Sequence, residues 1–193
     1  MQKILIALGG NALEGDLNKQ FTQSSETFRS ILEVVKMFPE AQLLLTHGNG
    51  PQVGNIILRS EFASAIIYSL PLDVCVSDSE GGMGYMLQQV FDNTLRASQL
   101  SGQVVTLITQ TLVNIDDPAF QNPSKPIGQF YTEEEARKKI AVAGWSMVED
   151  SGRGWRRVVP SPKPICIIEI EAIRTLLDNG FYVIANGGGG IPV

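Results

Sequence analysis

The chain has 193 residues, of which 44% are hydrophobic and 18% are charged, and this composition is typical of one globular domain with a sizeable core. Its 20 acidic residues outnumber its 15 basic residues, so the overall charge argues against nucleic acid or an anionic membrane as a partner. Cys75 and Cys166 form no C-x-x-C pair, which argues against a zinc site or a disulfide framework and favours the reducing cytoplasm. The sequence shows neither a signal-peptide pattern nor an apolar run of the roughly 18 to 20 residues that a membrane span needs. We therefore expect small molecules or other subunits as partners.

Strand and helix patterns alternate along most of the chain. Short apolar runs that lead into glycine or a loop predict strands buried on both faces of a parallel sheet: KILIAL (3–8), QLLLT (42–46), VVTLIT (104–109) and FYVIAN (181–186). Amphipathic or proline-initiated segments predict the helices between them: an apolar stripe from Phe28 to Phe38, PQVGNIILRSEFASA (51–65), GYMLQQVFDNTLRAS (84–98) and EIEAIRTLLDNG (169–180). This alternation predicts an α/β sandwich built on a parallel sheet.

The alternation is interrupted between about residues 112 and 165. Two segments rich in proline and glycine, DDPAFQNPSKPIGQFY (116–131) and EDSGRGWRRVVPSPKP (149–164), flank one helix. The start of that helix is indicated by Thr132 and Glu135, which have the spacing of a capping box. An insertion of this length in a compact domain is usually functional or forms a small subdomain, and we interpret it as a lid.

Three of the predicted strands run into glycine-rich loops: LGGNAL (8–13), THGNGPQVG (46–54) and NGGGGIPV (186–193). In a parallel sheet these loops gather along the carboxyl edge, where open α/β folds bind their ligands. Glycine has no side chain, so its backbone N–H group can approach an anion closely. A single glycine pair, however, is often only an ordinary turn. Three such loops at one edge therefore predict an anion site. The G-x-G-x-x-G and G-x-x-x-x-G-K-[ST] patterns are both absent, so neither a dinucleotide fingerprint nor a Walker loop is indicated.

Six strings of the chain, in the same order, resemble the carbamate kinases and their close paralogues within the amino acid kinase family: IALGGNAL, LTHGNGPQVG, LPLDVCV, DDPAFQNPSKPIG, EDSGRGWRRVVPSPKP and GGGGIPV. The resemblance implies an open three-layer α/β/α sandwich with a mainly parallel sheet. Residues 1–193 would form one kinase-like domain, with residues 112–165 as its protruding lid. It also implies a homodimer, a role in arginine metabolism, and phosphate transfer between ATP and carbamate. Mg²⁺ would accompany the nucleotide, with no tightly bound cofactor and no metal site of the chain's own.

The resemblance also assigns site residues. It places eight residues around the phosphate and the carbamate: Gly9, Gly10 and Asn11 in the first loop, Gly48, Asn49 and Gly50 in the second, and Gly187 and Gly188 in the third. Phosphoryl transfer needs mainly positioned backbone N–H groups and cations, and glycine loops supply the first of these. The two asparagine amides either orient ligand oxygens or simply belong to turns.

Many amino acid kinases carry a lysine just before the first glycine loop, but this chain has Ala7 at that place. The cation must therefore come from another part of the chain. Lys125 is our candidate for the catalytic cation, since the string NPSKPIG holds it near prolines in the insertion. The alternative interpretation is a solvated loop lysine. For Arg153, Arg156 and Arg157 we favour an exposed or ion-paired set.

Other conspicuous residues are expected to be structural. His47 is the only histidine, but a carbamate oxygen is already anionic and needs no base. Asp116 and Asp117 read as a turn with Pro118. Trp145 and Trp155 are expected in the core of the insertion.

Two departures from the resembled family affect these expectations. SEGGMGY (79–85) stands where the family generally has S-Q-G-M-I-G-Y, which puts Glu80 near the active edge and adds a glycine at an expected helix start. The family also continues for roughly another domain beyond GGGGIPV. The alternative hypothesis is therefore a truncated, non-catalytic module that binds or dimerises, and we expect residues 1–193 alone neither to bind ATP tightly nor to transfer phosphate.

Overall fold

The computed structural model describes residues 2–9, 13, 15–188 and 190–193. Its main sheet has four parallel strands in the order β1, β2, β9, β3. They span Lys3–Leu8 (β1), Gln42–His47 (β2), Phe181–Gly187 (β9) and Gln103–Thr106 (β3). All four predicted strands are confirmed, although β3 ends three residues before the predicted limit, at Thr106.

Helices cover both faces of this sheet. On one face lie α1 (Leu17–Met37) and α3 (Leu72–Ala97), which meet through Phe28 and Phe91 with their ring centroids 4.6 Å apart. On the other face α5 (Ile170–Asp178) buries Ile173 against β9. The predicted three-layer α/β/α sandwich is confirmed.

The apolar run of the first strand predicted burial on both faces, but one face of this strand is exposed. β1 forms the edge of the sheet, beside β2 alone. Leu5 is 64% exposed, whereas Leu8 is buried in the main core. The reason is coverage: in the described part of the chain, α5 packs mainly on β9 and β2.

Helix α3 begins well before the predicted start. The sequence pattern placed SEGGMGY at a helix start, but Leu72 begins α3, so these residues lie in its middle. Gly84 is needed there for packing, because a Cβ at this position would stand 2.1 Å from Cγ2 of Thr106. The hydroxyl of Thr106 also donates to the Gly84 carbonyl at 3.0 Å. This glycine brings α3 close to β3 and does not start the helix.

The insertion forms a small sheet and a helix of its own. At its base β4 (Gln110–Val113) pairs antiparallel with β8 (Pro164–Ile167) and parallel with β10 (Ile191–Pro192). Beyond this base, the antiparallel strands β5 (Lys125–Tyr131), β6 (Met147–Glu149) and β7 (Trp155–Val159) pack with α4 (Glu133–Ala143), and Pro118–Phe120 forms one 3₁₀ turn. The predicted capping box is present at the start of α4. Both tryptophans pack in the small core of this unit.

The insertion is docked on α2 (Gly50–Ala63). A Cβ on Gly54 of α2 would stand 3.2 Å from the Cα of Gly128 in β5, so the two backbones approach closely. Lys139 of α4 forms an ion pair with Glu61 of α2 at 2.9 Å. None of the helices in the described part of the chain is long and apolar enough to cross a membrane.

Candidate functional site

The three glycine loops lie next to one another because β1, β2 and β9 are neighbours in the sheet. The N–H of Gly48 donates to the carbonyl of Leu8 at 3.2 Å, which joins the second loop to the first strand. The N–H of Gly188 donates to the carbonyl of His47 at 2.6 Å, which joins the third loop to the second. Gly9 lies at the end of β1, whereas Gly10 and Asn11 lie outside the described residues.

Asn49 connects the second and third loops to α3. Its buried side-chain amide donates to the hydroxyl of Ser79 at 2.7 Å, and that hydroxyl donates to the carbonyl of Val76 at 2.6 Å. A Cβ on Gly188 would stand 1.6 Å from Oδ1 of Asn49. The asparagine side chain is therefore held between α3 and the third loop. Among the described residues this side chain makes no capping bond to α2, so it does not occupy the N–H groups of Gly50 and Gln52 at that helix start.

The glycines of the site fall into two groups. Gly187 and Gly188 are required by packing, and Gly188 also has a left-handed φ of +72°. At Gly9, Gly48 and Gly50, by contrast, φ lies outside that region and an added Cβ would meet no described atom within 4 Å. Neither strain nor packing among the described residues requires glycine at these three positions. Close approach of a ligand to the backbone would require it.

A cleft of about 1120 Å³ opens in front of the second and third loops. Asn49, Gly50 and Gly188 form one side, and Lys125 at the start of β5 lies on the side formed by the insertion. Lys125 is exposed and makes no ion pair with any described carboxylate. The structure thus brings together the predicted lysine and three of the predicted loop residues at one cleft.

The three arginines of the insertion are mostly engaged elsewhere. Asp150 forms ion pairs with Arg153 at 2.9 Å and with Arg156 at 3.5 Å. The Arg157 guanidinium lies over the ring of Trp145, 4.4 Å from its centroid. Arg156 lines the cleft, but it also donates to a backbone carbonyl of β5 at 3.2 Å. The contacts of Arg153 and Arg156 agree with the interpretation of an ion-paired set, whereas Arg157 is half-buried and stacks on Trp145.

Two titratable groups are buried behind the glycine loops. His47 is 6% exposed, its Nδ1 lies 3.1 Å from the carbonyl of Gly48, and burial lowers its pKa. Glu80 of α3 is 1% exposed, and its Oε2 accepts from the Thr109 N–H at 2.9 Å. Burial raises the pKa of Glu80 to about 7, against the opposing effect of the bonds from Thr109. His47 packs against the third loop, and Glu80 stands out as a buried carboxyl group at the site.

The acidic pair in the insertion forms a turn. Asp117 accepts from the N–H of Ala119 at 2.8 Å and from the N–H of Lys163 at 2.9 Å, and these bonds lower its pKa. Within the described ranges, no group of three or more His, Cys, Asp or Glu side chains is placed to hold a metal ion.

Comparison with known proteins gives the family. The model of the amino acid kinase family matches residues 2–193. The chain belongs to the amino acid kinase family. It is 47% identical over 199 aligned residues to the carbamate kinase of Pyrococcus furiosus, and this match covers 100% of the chain but 63% of that protein. The chain therefore spans less than two thirds of the length of this relative.

Solved structures agree with this assignment. Carbamate kinase from Giardia lamblia bound to AMP-PNP is 44% identical, with a TM-score of 0.88, over 99% of this chain and 62% of that one. A protein from Aeropyrum pernix K1 is 34% identical, with a TM-score of 0.92, over 100% of this chain and 62% of that one. The resemblance to the carbamate kinases and the fold that it implied are both confirmed.

Sequence reasoning missed two supporting residues of the site. Ser79 holds the asparagine of the second loop, and Thr109 binds Glu80. Their partners are 30 and 29 residues away along the chain, so no local pattern indicates these contacts. The unusual string SEGGMGY was the only signal, and its position in a helix was misjudged.

Proposed function

We propose that this chain carries the carbamate and phosphate end of a carbamate kinase, which interconverts ATP and carbamate with ADP and carbamoyl phosphate. A carbamate oxygen attacks the γ-phosphorus, the bond to the bridging oxygen breaks, and ADP leaves with that electron pair. One observation carries the proposal. Gly9, Gly48 and Gly50 have no described structural need for glycine, and they lie at the sheet edge that borders the cleft of Lys125.

The proposed roles follow from the chemistry of phosphoryl transfer. Backbone N–H groups of the first and second loops would bind the moving phosphoryl group, with Gly10 and Asn11 included on the basis of the sequence. The third loop, through Gly187 and Gly188, would bind phosphate and keep the second loop in place. Lys125 would neutralise the charge that develops on the phosphoryl oxygens.

The second substrate is proposed to be ATP or ADP with Mg²⁺. The support is the Giardia lamblia relative, whose structure contains AMP-PNP. The cytoplasmic homodimer and the role in arginine metabolism expected from the sequence belong to the same proposal. So does the interpretation of residues 112–165 as a lid, because their sheet carries Lys125 over the cleft.

Three measurements on the purified 193-residue chain test the proposal. Calorimetric titration with carbamoyl phosphate measures binding at the acceptor end, and titration with Mg-ATP measures nucleotide binding. A coupled assay detects ATP formed from ADP and carbamoyl phosphate. We expect carbamoyl phosphate to bind, and Lys125→Ala to weaken that binding while Lys163→Ala, at another exposed lysine of the insertion, does not.

The outcomes test the acceptor site and catalysis separately. ATP formation above background would establish a working kinase and contradict the expectation that residues 1–193 alone do not transfer phosphate. Binding of carbamoyl phosphate without ATP formation would agree with that expectation and with the proposed acceptor site. Absence of carbamoyl phosphate binding would refute the proposed acceptor site.

A further inference from the structure

Glu80 is buried directly behind the proposed phosphate site. A Cβ on Gly187 would stand 2.8 Å from Cγ of Glu80, so this side chain packs on the backbone of the third loop. Its Oε2 accepts from both the N–H and the hydroxyl of Thr109, at 2.9 and 3.4 Å. Thr109 and Gly188 both line the cleft. Glu80 therefore supports two parts of the cleft surface from below.

The second carboxyl oxygen of Glu80 is buried without a partner. Among the described residues, Oε1 receives no hydrogen bond. A buried ionised carboxylate with an unpaired oxygen is costly, because nothing replaces the water that it loses. Protonation removes the charge and with it most of this cost.

His47 packs on the same glycine of the third loop as Glu80. Its Nδ1 faces the Gly48 carbonyl, which can only accept, so Nδ1 carries the hydrogen and Nε2 presents a lone pair. Nε2 lies 2.8 Å from the point where a Cβ on Gly187 would stand, the same distance as Cγ of Glu80. The two atoms are thus at most twice that distance apart. Nε2 forms no hydrogen bond with Oε1 of Glu80 among the described residues, and a neutral imidazole on this side provides no positive charge to stabilise the carboxylate.

We propose that Glu80 is a positioning residue whose proton is required for tight anion binding at the glycine loops. This inference rests on the proposed function, because it assumes that the anion of that site is a phosphoryl group or its analogue. When Glu80 ionises, its negative charge lies directly behind Gly187 and Thr109 and repels the incoming anion. By linkage, a bound anion must raise the affinity of Glu80 for its proton to the same extent.

Few other charges act on this carboxyl group. The titratable groups that face it in the described structure are His47, from the end of β2, and Glu169, which precedes α5 and whose charge also favours the protonated form. The pKa of Glu80 is about 7, and that of His47 is lowered by burial. Above neutral pH, the proton that is taken up when an anion binds therefore goes to Glu80 and not to His47.

The test is calorimetric titration of the full 193-residue chain with sulfate, a phosphate analogue that does not itself titrate in this range. Between about pH 6 and about pH 8.5 we expect sulfate affinity to fall about tenfold in the parent chain, the scale of repulsion between a buried charge and a nearby anion. In Glu80→Gln, which keeps a donor and an acceptor but cannot ionise, the change should be less than about threefold. Glu26→Gln, at an exposed position of α1, is the matched control.

A second measurement needs no variant. Sulfate titrations of the parent chain near about pH 7.5, in buffers with different ionisation enthalpies, should show net proton uptake on binding. Equal pH dependence in parent and Glu80→Gln, or no proton uptake, would overturn the inference and leave the phosphate site intact. Loss of the pH dependence in His47→Gln alone would assign the proton to histidine and overturn it too. Absence of sulfate binding at every pH would instead refute the phosphate site, and the inference with it.

Discussion

The buried Glu80 makes a sharp prediction for the pH dependence of folding stability. A glutamate with its ordinary pKa of 4.5 in the unfolded chain reaches about 7 in the folded protein. Below pH 4.5 both states hold the proton, and Glu80 adds no pH dependence. Between 4.5 and about 7 the unfolded state releases a proton that the folded state keeps, so stability falls as the pH rises. Above that range the full penalty, about 3 kcal/mol for this shift, is present.

Replacement of Glu80 by glutamine should remove this penalty. The amide oxygen can still accept from Thr109, so the bond that joins α3 to this segment is kept. Urea unfolding at a series of pH values should give a Glu80→Gln chain whose advantage over the parent grows by about 1.4 kcal/mol per pH unit and then levels off near 3 kcal/mol. Glu26→Gln reports the effect of removing an exposed carboxylate. A difference between parent and Glu80→Gln that stays constant across the pH series would refute this reasoning.

Three further substitutions test the loops and the lid. In Gly50→Ala the added Cβ meets no described atom within 4 Å, so we expect an unchanged melting temperature. Carbamoyl phosphate should bind at least about tenfold more weakly, because the Cβ blocks its approach to the backbone. Normal binding would show that ligand approach does not explain this glycine. Gly188→Ala places a Cβ 1.6 Å from Asn49 Oδ1 at a φ of +72°, so urea unfolding should show a loss of about 2 to 4 kcal/mol, and a stable variant would contradict the packing described. Lys125→Ala should cost about 10²-fold in turnover, or weaken carbamoyl phosphate binding where turnover is absent, with little change in melting temperature. A parent-like Lys125→Ala chain, indistinguishable from the Lys163→Ala control, would assign Lys125 to the solvated surface.

The layered fold could be predicted because its signals are local. Apolar runs of five or six residues predict the strands of the main sheet, and Phe28 and Ile31 mark the buried stripe of α1 at helical spacing. The capping box at Thr132 likewise depends on residues three apart, and the structure contains both of its bonds. The position of the glycine loops then follows from the parallel order of the strands, since their carboxyl ends share one edge.

The parts that were mispredicted depend on distant partners. The exposure of Leu5 is decided by where α5 lies, and nothing in KILIAL encodes that. The predicted helix begins at Gly84, well after the observed start of α3 at Leu72, because glycine is unfavourable inside a helix. That glycine is explained only by Thr106, 22 residues further along the chain. Long-range close contacts of this kind leave no periodic pattern in the sequence.

The contacts that support the candidate site also join residues that are distant in the chain. Ser79 and Glu80 are adjacent in the chain, and consecutive residues of a helix point about 100° apart. One therefore reaches Asn49 in the second loop, while the other reaches Gly187 in the third loop. A single turn of α3 thus holds two loops that belong to different strands. The helix is itself fixed to β3 by the close contact at Gly84, so its position is set by the core of the main sheet and not by the loops. Because both loops share this support, a change of charge at Glu80 must act on them together, whereas a change at Lys125 acts from the opposite side of the cleft and leaves their geometry unaltered.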